Sequence, residues 1–340
     1  MKALTCLILC LFTLLPLAAC TPQPTMPKTI ELDGKIRNVH DPVMAKDGKY
    51  YLYSTGRGIP IRCSADMAHW EECGSVFGLY PDWLMKAVPD VGDLWAPDIS
   101  FYSGMWHLYY AASTFGKNGS VIGLATNATL DPSAPNYAWV DAGEVIASHL
   151  TDDWNAIDPN LAFGENGQLW LAFGSFWSGI KLRRIDHATG KLAVDDATLY
   201  SIASRPDRSV SHGAIEGAFI VHRGEYYYLF VSFDQCCRGV DSTYKIMVGR
   251  AQAITGPYSD RNGVAMMNGG GTLLVDATKR WRGPGHNSVF SENGNDWIVY
   301  HAYDAEYAGV PTLQVAPLIW TNGWPQVAGG ERGSIAKKRL

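Results

Sequence analysis

The apolar stretches of this chain recur in a constant order: a polar residue, often beside proline, an apolar run, a glycine, then a run dense in aromatics. The order appears five times. It runs from His40-Asp41-Pro42 through Gly48 to Tyr50-Tyr51-Leu52-Tyr53-Ser54, and from Ala96-Pro97-Asp98 through Gly104 to Trp106-His107-Leu108-Tyr109-Tyr110. The third copy joins Ile157-Asp158-Pro159 through Gly167 to Leu169-Trp170-Leu171-Ala172-Phe173. The fourth joins Ile215-Glu216-Gly217 through Gly224 to Tyr226-Tyr227-Tyr228-Leu229-Phe230, and the fifth Gly285-His286-Asn287 through Gly294 to Trp297-Ile298-Val299-Tyr300. The leading residues Asp41, Asp98, Asp158, Glu216 and His286 are spaced by 57, 60, 58 and 70 residues, with the glycine 7, 6, 9, 8 and 8 residues later. Two runs around a glycine predict a hairpin. Further strand-like runs, residues 122–126 and 245–250 among them, supply enough for four strands per unit. Units of this length predict the blades of a β-propeller, so the fold class expected is all-β with five blades in one domain over residues 30–340. A β-sandwich would explain the strands but not the constant phase. Helical periodicity is confined to residues 82–87, a short helix.

Composition narrows the function classes. Of 340 residues, 47% are hydrophobic and only 18% charged, with a formal net charge of -5. That excludes a disordered chain. A pI near 6.0 also gives no electrostatic reason to hold a phosphate backbone, so no nucleic-acid partner is expected.

The N-terminus reads as an address. Lys2 precedes an apolar run over residues 3–15, too short to cross a bilayer as a helix, which marks residues 1–19 as a signal peptide. The run ends Leu17-Ala18-Ala19-Cys20 and resembles the bacterial lipobox, in which the cysteine is acylated; plain secretion with an incidental Cys20 is the alternative. Residues 20–29 then form a tether. The expectation is an exported monomer whose only membrane contact is a lipid anchor at Cys20. Export permits disulfides. Cys63 and Cys73 could meet across adjacent strands or remain buried thiols, whereas the neighbours Cys236 and Cys237 are not expected to bond, because the eight-membered ring is strained.

In a propeller, equivalent positions of successive blades form a ring around one axis. Four of the five leading residues are acids and the fifth is histidine, so carboxylates would converge there, and like charges would raise at least one pKa. An Asp-Pro turn explains any one of these sites but not Glu216-Gly217 or His286-Asn287. Trp95, Phe115, Trp154, Phe176 and Trp177 lie close in sequence to this ring. Aromatics beside carboxylates suit sugars, whose apolar faces stack while their hydroxyls hydrogen-bond. Cleavage of a glycosidic bond needs two carboxyl groups.

Val39-His40-Asp41-Pro42, Leu94-Trp95-Ala96-Pro97-Asp98-Ile99, Ala156-Ile157-Asp158-Pro159-Asn160, Ile215-Glu216-Gly217-Ala218 and Gly283-Pro284-Gly285-His286-Asn287-Ser288 together resemble glycoside hydrolase family 43. The resemblance is closest to its arabinan endo-1,5-α-L-arabinosidases. It implies a five-bladed propeller that hydrolyses internal α-1,5-arabinofuranosidic bonds with inversion. Asp41 would be the general base and Glu216 the general acid, about 6.5–9.5 Å apart. An ionised Asp158 would orient Glu216 and keep it protonated. The resemblance further implies that Asp41, Trp95, Phe115, Gly116, Asn155, Ala156, Ile157, Asp158, Ser175, Phe176 and Trp177 contact sugar, and that Asp98 is structural. It places an axial ion, commonly calcium, near His286, with no organic cofactor. Rival readings are an exo-acting arabinofuranosidase or β-xylosidase on the same fold, and a non-catalytic glycan-binding propeller.

Overall fold

The computed structural model describes residues 29–328. The leader, Cys20 and most of the tether lie outside the described residues, as does the end of the expected catalytic domain. Among the described residues no helix is long and apolar enough to cross a membrane.

Five antiparallel sheets follow one another along the chain, each built outward from an inner strand. The inner strands are Val43–Asp47, Trp95–Tyr102, Asn160–Phe163, Ile215–Arg223 and Trp281–Glu292. Four blades hold four strands, and the first gains a short parallel strand, Asp33–Gly34, on its outer edge. Each inner strand pairs with the next strand around the glycine that the pattern marked. Two of these turns show why the glycine is there. Ser103 and Gly104, like Asn293 and Gly294, both have positive φ, the conformation of a tight hairpin whose twist matches its strands. The expected short helix forms at Asp82–Ala87.

The aromatic strands are spent between blades. Five apolar clusters are buried, one at each interface between neighbouring sheets. Tyr51, Tyr53, Leu108 and Tyr110 lie between the first and second blades, and Tyr228, Phe230, Ile298 and Trp324 between the fourth and fifth. The interface that closes the ring holds Trp70, Leu52, Val299 and Leu313. Backbone bonds seal it, from Leu313 N–H to Ile36 and from Val39 N–H to Pro311. Cys63 and Cys73 are bonded across the outer strands of the first blade. Cys236 and Cys237 are also bonded to each other, against expectation.

The structure corrects the phase of the repeat. A bend with positive φ recurs once per blade near the inner strand's start: Asp41 at 50°, Ala96 at 46°, Asp158 at 58°, Gly217 at 61° and His286 at 49°. In the second blade the equivalent of Asp41 is therefore Ala96, and in the fourth it is Gly217. Glu216 sits one residue before its bend, in step with His40, Trp95, Ile157 and Gly285. Asp98 lies two residues past its bend, where it joins a belt between blades. Its carboxylate accepts from Leu161 N–H at 2.8 Å and from Asn160 Nδ2 at 3.2 Å, while Asn160 Oδ1 accepts from Ile220 N–H at 2.8 Å. Its structural role is as expected.

Burial pushes the Asp98 carboxyl up to about 7, against the two hydrogen bonds that pull it down. Between about pH 4 and 7 the folded chain thus holds a proton that the unfolded chain has released. The Asp98 contribution to stability falls as pH rises through that window and levels off above it. Asp98→Ala should cost about 2 kcal/mol by orphaning buried donors. Urea unfolding should find that cost larger at pH 5 than at pH 8; an equal cost at both would contradict this account.

Candidate active site

The bends carry the chemistry because a left-handed residue at the start of a strand turns its side chain, and its predecessor's, away from the pleat. Positive φ is uncommon for residues other than glycine and collects at functional sites. In three blades the bend coincides with an extra residue in the inner strand, between Trp95 and Asp98, Glu216 and Phe219, and Gly285 and Ser288.

A cavity of about 820 Å³ brings Asp41, Asp158, Glu216 and His286 together, with Trp95, Phe115, Gly116, Asn155, Ile157, Ser175, Phe176 and Trp177 also in its wall. Ala156 is the exception among the expected sugar contacts. It is fully buried, its N–H donating to Ser148 Oγ at 2.8 Å, so it supports the wall without lining it. Trp154 is not in the wall either and packs edge-on against Phe173.

Asp41 is buried and surrounded by imidazoles. His40 Nδ1 lies 2.9 Å from Oδ2, His286 Nδ1 3.1 Å from Oδ1 and His301 Nδ1 3.7 Å from Oδ1, and Thr55 donates its hydroxyl to Oδ2 at 2.6 Å. Burial alone would raise the Asp41 pKa, but the charge and hydrogen bond of His40, with His286 and His301, hold it far below the carboxylate range. His40 responds in kind: burial lowers its pKa, and Asp41 more than restores it. Asp41 therefore stays ionised throughout the acidic range, as a base requires.

Glu216 accepts from Ser175 Oγ at 2.6 Å and from Tyr244 OH at 2.7 Å. Asp158 is more enclosed and receives one backbone donor, Gly217 N–H at 3.1 Å. Here the structure departs from expectation. Burial, with the charges of Glu216 and Asp41, raises Asp158 itself well above the usual carboxylate range. An Asp158 driven toward its neutral form is not the ionised neighbour that was expected to keep Glu216 protonated.

The sequence reading missed His40, Thr55, Tyr244 and His301. His40 was recoverable, because it stands in step with Glu216. His301 comes from the strand partner of an inner strand and Tyr244 from a connection between outer strands, and neither carries such a signal. Near His286 the donors are nitrogens and one carboxylate. Among the described residues the grouping with ligand spacing is His40, Asp41 and His301. Calcium prefers oxygen. This set fits it only as an ion shelled by water that touches one imidazole.

Two glycines let the catalytic groups approach. A Cβ on Gly217 would lie 3.1 Å from His286 Nδ1. A Cβ on Gly285 would lie 1.9 Å from the Tyr244 ring, inside its volume. Gly285→Ala must displace Tyr244 and release one side of Glu216. Turnover should fall about tenfold to a hundredfold with a smaller change in KM, since small misplacements of catalytic groups are that costly. Steady-state kinetics on protein with unaltered circular dichroism checks this, and full activity would refute it.

Comparison with known proteins agrees with this geometry. The model of Glycosyl hydrolases family 43 matches residues 36–325. An extracellular exo-α-(1→5)-L-arabinofuranosidase of Cellvibrio japonicus is 44% identical over 313 residues, 89% of this chain and 90% of that protein. An extracellular endo-α-(1→5)-L-arabinanase of Bacillus subtilis is 45% identical over 293 residues, 84% of this chain and 87% of that one. The solved structure of a Cellvibrio cellulosa α-L-arabinanase complexed with arabinohexaose superposes with a TM-score of 0.82 at 43% identity, covering 86% of this chain and 96% of that one. With that match spanning nearly the whole propeller, the chain belongs to glycosyl hydrolase family 43.

Proposed function

We propose that this chain is an inverting hydrolase of α-1,5-linked arabinan that cuts within the polymer. One observation carries the reading: a single cavity holds Asp41, kept ionised with His40 and His286 against it, together with Glu216 and an Asp158 driven toward its neutral form. Asp41 takes a proton from water as the water oxygen bonds to the anomeric carbon. The glycosidic bond breaks on the opposite face, and Glu216, as the acid, delivers a proton to the departing oxygen. The cycle closes when Asp41 releases the proton it took and Glu216 regains one from water. The aromatic wall, Trp95, Phe115 and Trp177, offers faces for arabinofuranose rings.

The similar proteins include both exo- and endo-acting enzymes, so products decide the mode. Linear arabinan should yield mixed oligosaccharides from the first minutes; one product length released from chain ends would establish the exo reading instead. Glu216→Gln should lower kcat by about a thousandfold or more while oligosaccharide binding persists. Near-normal turnover in that variant would overturn the assignment.

Export is supported by the extracellular relatives and by the character of residues 1–19. Anchoring through Cys20 belongs to the same proposal, and mass analysis of the exported protein reads it directly. Calcium at His286 is proposed on the same footing. His286 would hold the ion and water would complete its shell. When bound, the ion would supply positive charge beside Asp41. Protein treated with a chelator should melt about 2 °C lower or more and recover with added calcium, while His286→Ala should not respond. Identical melting with and without calcium would remove the ion from the proposal.

A further inference from the structure

We propose that the bonded pair Cys236–Cys237 is a sugar-contacting platform in the cavity wall, on the side of the general base. The proposal rests on the arabinan reading above and adds a binding surface to it.

Position is the first argument. Both cysteines line the cavity, Cys237 exposed and Cys236 half-buried. Cys237 Sγ lies 3.9 Å from His40 Nε2, and the other nitrogen of that ring contacts Asp41. Sulfur thus stands one imidazole away from the group that activates water.

The second argument is the bracing. Cys237 N–H donates to Tyr303 OH at 2.7 Å, and the same hydroxyl lies 2.8 Å from His40 Nε2. The Gln235 carbonyl accepts from Thr243 and Tyr244 N–H at 2.9 and 3.1 Å, and Arg238 N–H reaches Ser242 Oγ at 3.0 Å. The connection that carries the cysteines is folded back on itself. Its far end supplies Tyr244, which holds Glu216, so one segment touches the surroundings of both base and acid.

The third argument concerns what the bond could otherwise be for. A disulfide stabilises mainly by closing a loop in the unfolded chain. Cys63–Cys73 spans 10 residues and ties two strands, whereas Cys236–Cys237 spans one and closes nothing. Nor does the pair belong to any of the five apolar clusters that hold the blades together. Its place is in the cavity.

Chemistry then names the ligand. Bonded sulfurs are polarizable, with no strong hydrogen-bond donor or acceptor. They suit the C–H face of a furanose ring better than its hydroxyls. A ring of adjacent residues has no rotamers left to lose, so contact with it costs little ordering. The aromatics Phe115 and Trp177 in the same cavity wall would take other faces of the bound chain.

The test uses the full chain, with linear α-1,5-arabinohexaose as probe. Cys236→Ala/Cys237→Ala and Cys236→Ser/Cys237→Ser should raise KM about two- to tenfold, the range of one lost stacking contact. The kcat should change less than about twofold, and the pH–rate profile should stay in place. In a Cys63→Ser/Cys73→Ser background, a phosphine reductant should reproduce the rise and leave the Cys236→Ala/Cys237→Ala form unaffected. Should the variants not fold, the affinity of the Glu216→Gln protein for the hexaose, with and without reductant, replaces them: weaker binding on reduction supports the platform, and equal binding overturns it. Two free thiols at these positions in the native protein would also overturn it, as would an unchanged KM in an enzyme that still cuts arabinan. If the unmodified protein neither binds nor cuts the hexaose, the proposed function falls, and the platform with it.

Discussion

The left-handed bend at the start of each inner strand is the constraint on which the rest of the molecule depends. It repeats at Asp41, Ala96, Asp158, Gly217 and His286 and turns two successive side chains per blade out of the pleat. A non-glycine residue held in that conformation costs about 1–3 kcal/mol, and four of the five bends are not glycine. The strain persists because the surroundings over-determine it. Five inter-blade cores fix the sheets, and a belt of bonds from Asp98 and Asn160 to Leu161 and Ile220 pins successive inner strands just beyond the bends. Core and belt belong to stability; the bends turn that stability into a fixed placement of reactive groups.

Bringing three acids into one cavity raises an electrostatic difficulty, and it is met in two different ways. Asp41 keeps its charge because the imidazoles of His40 and His286 and the hydroxyl of Thr55 contact its carboxylate. Asp158, with one backbone donor and no cation, cannot keep its charge as easily and is driven toward the neutral form. One carboxyl held ionised and another driven toward its neutral form, in one cavity, are the kind of pairing that acid–base cleavage uses. The same enclosure produces both, and the difference lies in which partners each carboxyl meets.

What could be read from the sequence follows from what repeats. Five hairpins, their glycine turns and the inter-blade role of the aromatics were legible because they recur with one phase. The phase itself was off in two blades. Asp98 and Glu216 are the conspicuous polar residues of their segments, but the bend falls on Ala96 and Gly217, which no side-chain chemistry marks. Asp158 was recognised, but its rise toward the neutral form depends on enclosure, a property of the folded cavity. Tyr244 comes from the connection before a third strand and His301 from a second strand, and neither position's pattern tells a core contact from one to an active-site carboxyl. The bonded Cys236–Cys237 went against general expectation for adjacent cysteines and could be found only in three dimensions.

The division between ring and loops also separates two properties of the enzyme. Asp41, Asp158 and Glu216 sit at the inner strands and are fixed by bends that every blade shares. The rest of the wall comes largely from connections between strands: Phe115 and Gly116 in the second blade, Phe176 and Trp177 in the third, Arg208 between the third and fourth, and Cys236 to Arg238 within the fourth. Strand connections tolerate change far better than inner strands do. The three carboxyls are therefore less open to loop substitution than the hydroxyls of Ser175 and Tyr244 that hold Glu216 from connections, whereas the length of sugar chain that fits, and whether it can pass through the cavity or only enter by its end, is set by a handful of loop side chains. Exo and endo action can then alternate on one catalytic ring without any change to the acid or the base.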